Sequence, residues 1–212
     1  MDFIQLSRSK EVCLTSAYAS IYFTRDKSTW IKLISVPFIS NFMKLPGTTT
    51  QEENIHIAMG KLDIRPSNVF LDLGCGSGAV SLAASRYTDR IYGIDVRKDA
   101  VEASKSKVPG GVFLCGDASD LLPELPRIDR CFIGVTRQIE VFFPKILERA
   151  VPDCVIVANL ARIVMASKVT ELMKACGIFQ ELLHVQISRG YELAGDFALK
   201  PINPIFMVVG KC

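Results

Sequence analysis

The chain has 212 residues, 49% of them hydrophobic and 22% charged, with a formal net charge of +3. That length suits one domain with a substantial core, and that composition suits an ordinary soluble globular protein. The mild positive charge admits an anionic substrate but gives no nucleic-acid-binding surface, so no nucleic-acid partner is expected.

Seven cysteines (Cys13, Cys75, Cys115, Cys131, Cys154, Cys176 and Cys212) are scattered, odd in number and never in C-x-x-C spacing. Several lie inside apolar runs, where cysteine behaves as a small hydrophobe. With only His56 and His184 beside them, no metal-ligand cluster can be drawn, and a reducing, intracellular setting is expected. Asp2 and Glu11 interrupt the N-terminal apolar residues, so a signal peptide is not expected, and no run is long enough to span a membrane. The expected location is cytoplasmic, with no membrane partner.

Residues 1–45 read as an N-terminal extension or cap. Phe3, Ile4, Leu6, Val12, Leu14, Tyr18, Ile21, Tyr22 and Phe23 are too apolar for a disordered tail, and Pro37 breaks the run Trp30–Met43. The segment could pack on the main domain or on a second subunit, or its aromatic side chains could cover a substrate. The main domain would then occupy 46–212. Pro46-Gly47-Thr48-Thr49-Thr50 reads as a turn and helix start, with Thr49 or Thr50 as N-cap and Glu52 or Glu53 completing a capping box. The helix runs through Ile55, Ala58, Met59 and Leu62, and His56 on it reads as an exposed or packed residue.

Strands are expected at 69–73, 90–95, 111–115, 129–134, 153–158, 180–188 and 204–209. Helices are expected between them at 78–87, 98–106, about 118–123, 137–149 and 162–176, the last stopped by Gly177. This alternation predicts an α/β fold with a seven-stranded, mostly parallel sheet. No helix separates the last two strands; a loop from Arg189 to Pro204 joins them, which predicts an antiparallel C-terminal hairpin. That is the Rossmann-like class I methyltransferase layout.

The segment Val69-Phe70-Leu71-Asp72-Leu73-Gly74-Cys75-Gly76-Ser77-Gly78 reads as a strand buried on both faces, a tight glycine turn and a helix start. Glycines let a ligand lie against the backbone, and the helix start offers free N–H groups. The spacing is G-x-G-x-G, whereas the dinucleotide fingerprint is G-x-G-x-x-G. Asp72, two residues before the first glycine, would repel a pyrophosphate but suits a ligand carrying an ammonium and a sulfonium. Asp95 ends the next apolar run, where an acid hydrogen-bonds ribose hydroxyls. Together these features point to S-adenosyl-L-methionine as the cofactor.

From Pro46 onward the chain resembles the T-type precorrin C15-methyltransferases (decarboxylating) of cobalamin biosynthesis. Pro46-Gly47-Thr48-Thr49 with Glu52-Glu53 is similar to the family's P-G-x-T-x-x-E opening, and Lys61-Leu62 with Arg65-Pro66 to the lead into its first strand. Asp72–Gly78 nearly matches the family's cofactor loop, Tyr92-Gly93-Ile94-Asp95 its Y-A-I-D, and Gly116-Asp117-Ala118 its G-D-A. Phe132-Ile133-Gly134-Val135-Thr136 stands where the family has a G-G-[ST] turn, and Asn203-Pro204-Ile205 resembles the N-P-[VI] that opens its last strand. The departures lie on the substrate side. Val135 replaces a glycine, Asn159-Leu160-Ala161-Arg162-Ile163 lacks the family's acid, and Asp196–Lys200 replaces a stretch of small and sulfur-containing residues.

The resemblance implies C15 methylation of a precorrin or cobalt-precorrin with decarboxylation of the C12 acetate, a homo-oligomer such as a tetramer, and a separate C5-methyltransferase as a companion enzyme. Gly74, Cys75, Gly76, Ser77 and Gly78 would hold the methionine portion, with Asp72 orienting the loop or meeting the ammonium. Asp95 would take the ribose, and Gly116, Asp117 and Ala118 would read adenine. Thr49 would reach the cofactor from the opening turn, cap the helix, or both. A substrate rich in carboxylates draws attention to Arg97, Arg137, Arg162 and Arg189, with Arg137 and Arg162 placed best, just after the fourth and fifth strands. Methyl transfer from a sulfonium demands no strong general base, so no catalytic residue is nominated. Competing readings are another small-molecule methyltransferase, an RNA or DNA adenine N-methyltransferase, and a non-catalytic cofactor-binding subunit. The N-methyltransferase reading is weakened because Gly134-Val135-Thr136-Arg137 stands where [DN]-P-P-[YF] is usual.

Overall fold

The computed structural model describes residues 13–16 and 19–22 by their backbone, and residues 50–135 and 137–212 in full. The chain divides into two compact units, Met1–Lys44 and Leu45–Cys212. In the first unit, β1 (Cys13–Ser16) pairs antiparallel with β2 (Ala19–Tyr22). Thr49 and Thr136 lie outside the described residues.

The second unit opens with α1 (Glu52–Leu62), followed by β3 (Phe70–Leu73), α2 (Ala79–Ala84), β4 (Ile91–Asp95) and α3 (Lys98–Lys107). Next come β5 (Val112–Cys115), α4 (Ala118–Leu121) continued by a 3-10 turn, β6 (Ile128–Ile133), α5 (Ile139–Arg149) and β7 (Ala150–Leu160). The chain closes with α6 (Ile163–Ala175), β8 (Phe179–Val185), β9 (Ser188–Leu193), β10 (Asp196–Pro201) and β11 (Ile205–Lys211).

Seven strands form one sheet in the order β5-β4-β3-β6-β7-β11-β8. The pairings from β5 across to β7 are parallel, and β11 is antiparallel to both its neighbours. The reversal at the sheet centre, where β3 lies between β4 and β6, is the switch point at which open α/β sheets bind ligands. β3 can be central because all four of its residues are buried, Phe70 against one helix layer and Leu71 and Leu73 against the other. One layer is formed by α1, α2 and α3 through Leu62, Ala84 and Val101, and the other by α5 and α6 through Phe142, Phe143 and Met173. Gly177 ends α6 as the sequence predicts: at φ 71 it closes a Schellman pair, with Gly177 N–H donating to Lys174 and Ile178 N–H to Met173.

Two local expectations are corrected. First, α1 has no capping box. Its N-cap is Gln51, which makes no side-chain cap, and the Glu53 carboxylate is taken by Arg189 instead. Secondly, the strand expected over 180–188 ends at Val185, and the expected loop from Arg189 to Pro204 is mostly a separate antiparallel hairpin, β9–β10. Leu193 pairs with Asp196, leaving Ala194 (φ 53) and Gly195 (φ 87) as a two-residue turn with both φ positive, the geometry that matches strand twist. β8 and β11 pair antiparallel as expected, with this hairpin inserted between them.

Candidate active site

The site is built where β3, β4, β5 and β6 end. After Leu73 the chain turns through Gly74–Gly78 into α2, and hydrogen bonds to the end of β4 hold the turn. Gly74 and Cys75 N–H groups both donate to the Ile94 carbonyl (2.8 and 3.2 Å), and Gly76 N–H donates to Asp95 Oδ2 (3.0 Å). Glycine is required at the two ends of the turn. Gly74 has φ +80, and a Cβ there would lie 3.0 Å from Val135 Cβ; Gly78 has φ +73, and a Cβ there would lie 2.8 Å from Ser104 Cα. Gly78 thus lets α2 start tightly against α3.

A cavity of about 600 Å³ opens above this turn, a size ordinary for a small-molecule site. Gly74, Cys75, Gly76 and Ser77 form one wall, Asp95 a second, and Gly116, Asp117 and Ala118 a third. Arg137 stands on the β6 side, so residues that are far apart in sequence share one space. Gly78 and Asp72 are not on the wall. Arg162 lies elsewhere, in a shallow depression formed with Ile163, Val164 and Met165 at the start of α6.

Asp72 lies under the glycine turn with 1% exposure, and its Oδ2 accepts from Ser81 Oγ (2.6 Å). Burial pushes its carboxyl up to about 7, the Ser81 hydroxyl only partly opposing this. Its other oxygen has no partner. Asp95 behaves oppositely. Burial works to raise it, but the Arg97 guanidinium, the Arg97 N–H and the Gly76 N–H outweigh burial and hold the carboxyl below its ordinary range. Asp117 caps α4, and the Ser119 hydroxyl and N–H lower its carboxyl. Burial pushes the Cys75 thiol up to about 12, so this sulfur on the cavity wall is not a nucleophile.

The structure also brings in residues that sequence reasoning missed. Thr50, Gln138 and Phe142 line the same cavity, together with Val135, which the sequence already places on the substrate side. Gln138 adopts a left-handed conformation (φ 59) at the N-cap of α5, which turns the chain from β6 over the cavity. The sequence cue for it is weak: a polar residue between Arg137 and the apolar run that opens at Ile139. Of the other arginines named from sequence, Arg97 is engaged by Asp95 on the cavity wall and Arg189 by Glu53.

The arrangement offers a glycine-lined stretch of backbone, two carboxylates and an apolar side formed by Ile94, Phe132 and Phe142. A domain model described as a precorrin methyltransferase domain matches residues 42–210. The chain belongs to the precorrin methyltransferase family. Relatives in this family include a protein of Methanosarcina acetivorans named cobalt-precorrin-6B C(15)-methyltransferase (decarboxylating), 35% identical over 183 residues, covering 82% of this chain and 98% of that one. A relative of the same name in Archaeoglobus fulgidus is 34% identical over 168 residues, covering 79% of this chain and 99% of that one. Among solved structures, the precorrin-8w decarboxylase of Methanobacterium thermoautotrophicum shares the fold with a TM-score of 0.73 at 21% identity, over 78% of this chain and 92% of that one. A tRNA (m1A58) methyltransferase of Aquifex aeolicus also shares it, with a TM-score of 0.67 at 14% identity, over 79% of this chain and 71% of that one. The sheet is thus common to methyltransferases with different substrates, whereas the family match is particular to precorrin enzymes. Among the described residues no helix is long and apolar enough to cross a membrane, and no cluster of three metal-ligating side chains occurs.

Proposed function

We propose that this chain binds S-adenosylmethionine in the cavity at the carboxyl ends of β3–β6 and methylates C15 of a precorrin or cobalt-precorrin, with decarboxylation of the C12 acetate, in cobalamin biosynthesis. One observation carries this reading: in a precorrin methyltransferase chain, the glycine turn, Asp95, Asp117 and Arg137 all face one cavity. The residues fit the cofactor. The glycine turn lets a ligand lie against its backbone, the two acids suit hydroxyls and an amine, and Ile94, Phe132 and Phe142 suit a flat ring.

Bound there, S-adenosylmethionine supplies a methyl group already activated as a sulfonium. The protein's work is positioning and exclusion of water. Gly74, Cys75, Gly76 and Ser77 hold the methionine end, and Asp95 fixes both the ribose and, through Gly76 N–H, the turn itself. Asp72 supports α2 from beneath through Ser81 and acts as an orienting group. Gly116, Asp117 and Ala118 face the adenine, and Thr49, next in the chain to the cavity residue Thr50, is assigned to the cofactor as well. Arg137 pairs with a substrate carboxylate at the cavity. Arg162, beside the exposed Ile163 and Val164, meets a second carboxylate at the outer edge of the macrocycle. The attacking carbon belongs to an electron-rich ring, so no side chain needs to remove a proton before attack. The bond pair released with carbon dioxide enters that same conjugated ring.

The test is incubation of the protein with methyl-labelled S-adenosylmethionine and a cobalt-precorrin mixture, read by mass. Gain of one methyl with loss of carbon dioxide supports the assignment. Gain without loss would leave a methyltransferase that does not decarboxylate, and binding with no turnover would leave a cofactor-binding subunit. Self-association is proposed through the hairpin, where Phe197 (75% exposed) and Leu199 (72%) share one face. Light scattering of the Phe197→Asp, Leu199→Asp double variant should then show a smaller species than the wild type.

A further inference from the structure

β7 and β11 run antiparallel with Lys211 opposite Val155, so the next residues along the ladder, Cys212 and Cys154, oppose each other. β7 is bulged here. Asp153, with φ 66, and Cys154 together face Cys212; Asp153 N–H donates to the Cys212 carbonyl (3.0 Å), and Cys212 N–H to the Cys154 carbonyl (2.9 Å). Paired residues on antiparallel strands lie about 4.5–5.5 Å apart at Cα, inside the span that disulfides bridge (about 4.4–6.8 Å), so a bond can close across this bulge with little backbone movement. Each of the two thiols acts on the other. Their mutual hydrogen bond, against some burial, lowers the Cys212 thiol to about 7 and is the main reason the Cys154 thiol is raised. Cys212 is exposed and Cys154 has no exposure. One reachable thiol therefore sits beside one sheltered thiol, unlike Cys115 and Cys176, which are exposed without such a neighbour among the described residues.

We propose that Cys154 and Cys212 form a reversible cross-strand disulfide by exchange with a small-molecule disulfide such as oxidised glutathione. The Cys212 thiolate attacks one sulfur of the reagent, whose S–S bond breaks and releases one glutathione thiolate. The Cys154 sulfur, giving up its proton, then attacks the Cys212 sulfur of the mixed disulfide, and the second glutathione leaves as a thiolate that takes up a proton. The protein loses two hydrogens and the reagent is reduced to two thiols, so no further oxidant is needed. The bond would close the chain from Cys154 to Cys212, around α6 and β8–β11, and would join β7 to β11 near the amino end of β7. The cavity lies at the opposite, carboxyl ends of the strands, so cofactor binding should be unaffected.

The full chain is incubated with oxidised glutathione, alkylated without reduction, digested and mapped by mass. The expected product is a Cys154 peptide linked to a Cys212 peptide, without retained glutathione, and reversed by dithiothreitol. The Cys154→Ser variant should keep glutathione on Cys212, and Cys212→Ser should leave Cys154 unmodified. Should the buried serine unfold the chain, Cys154→Ala gives the same readout. The proposal is overturned if the wild type retains glutathione on Cys212 with Cys154 free, if neither thiol reacts, or if Cys131, buried on the neighbouring strand, is the partner found.

Discussion

Arg189, at the start of hairpin strand β9, clasps Glu53 in the first turn of α1, its Nε and Nη2 both donating to the carboxylate (3.0 and 2.8 Å). The same guanidinium reaches Gln51 Oε1 at 3.4 Å. A helix and a hairpin remote in sequence are thereby joined beside Thr50 and the cavity. The side chains are 56% and 38% exposed, so the pair should contribute little to global stability. Its local effect should be larger. Replacing Arg189 by alanine is expected to leave the melting temperature nearly unchanged while speeding amide exchange in β9 and β10, read by hydrogen–deuterium exchange mass spectrometry. Exchange unchanged in the hairpin would show that the turn at Ala194-Gly195 holds it alone.

Asp72 should make stability depend on pH in an unusual direction. Burial raises its folded-state pKa from 3.8 to about 7, the charge of Asp95 adding to the effect. Between those values the folded state binds the extra proton, so stability falls as pH rises from about 4 to about 7 and then levels off. The full effect is on the order of 4 kcal/mol for a shift of this size. Asp72→Asn keeps an oxygen that can accept from Ser81 but cannot ionise. Urea unfolding at a series of pH values should show this descent in the wild type and a much flatter curve in the variant. Parallel curves would mean that Asp72 titrates normally in the folded state.

The sequence revealed most about those parts of the molecule that are fixed locally. The strand Phe70–Leu73, its glycines and the helix beyond them carry their pattern within a few residues, and Asp95 and Gly116–Ala118 follow at strand ends. The hairpin was hidden for a physical reason. Its apolar alternation is short, Tyr191 with Leu193 and Phe197 with Leu199, and is set among Gly190, Gly195 and Pro201, while Ala194-Gly195 is a weaker turn cue than Asn-Gly. Gln138 could not be read as a cavity residue because only the path of the chain after β6 puts it there. Arg162 was paired with Arg137 by its place after a strand, yet it opens on a different depression. The capping box is absent because α1 is capped at Gln51, which puts Asn54 rather than an acid at the third helical position, and Glu53 is taken by Arg189.

Gly78 and Gly177 separate two costs of replacing a left-handed glycine. Both have positive φ, but a Cβ at Gly78 would meet Ser104 Cα at 2.8 Å, whereas nothing lies within 4 Å of one at Gly177. Gly177→Ala should cost only the backbone strain, about 1–2 kcal/mol. Gly78→Ala should cost more, because α2 and α3 must separate, and should also weaken cofactor binding by moving the turn. For a domain of this size each kcal/mol lowers the melting point by roughly 2–4 °C, so calorimetry resolves the two. Equal losses would mean that the contact with Ser104 relaxes freely.

Asp95 ties the glycine turn to the end of β4, so its removal should strike cofactor binding twice. Asp95→Ala leaves Gly76 N–H without its acceptor and removes the acceptor proposed for the ribose. Hydrogen bonds to a charged group are worth about 1.5–3 kcal/mol, which corresponds to roughly a tenfold to hundredfold loss of affinity. Titration calorimetry with S-adenosylhomocysteine measures this. Asp117, half-buried and already bound to Ser119, should matter less in the same assay.

Arg137 and Arg162 are expected to differ in kind. Arg137 lines the cavity, while Arg162 shares its depression only with Ile163, Val164 and Met165. If Arg137 meets a carboxylate of the reacting macrocycle, Arg137→Ala should raise the tetrapyrrole KM about tenfold or more, in keeping with loss of one charge-assisted contact. The dissociation constant for S-adenosylhomocysteine should stay within about twofold, since other residues are assigned to the cofactor. Arg137→Lys keeps the charge but loses the fork, and should recover only part of the loss. Arg162→Ala, outside the cavity, should change KM less and in a more salt-dependent way. Steady-state kinetics at two salt concentrations distinguish the variants. Equal effects would place the substrate across both helix starts, with its carboxylates shared between them.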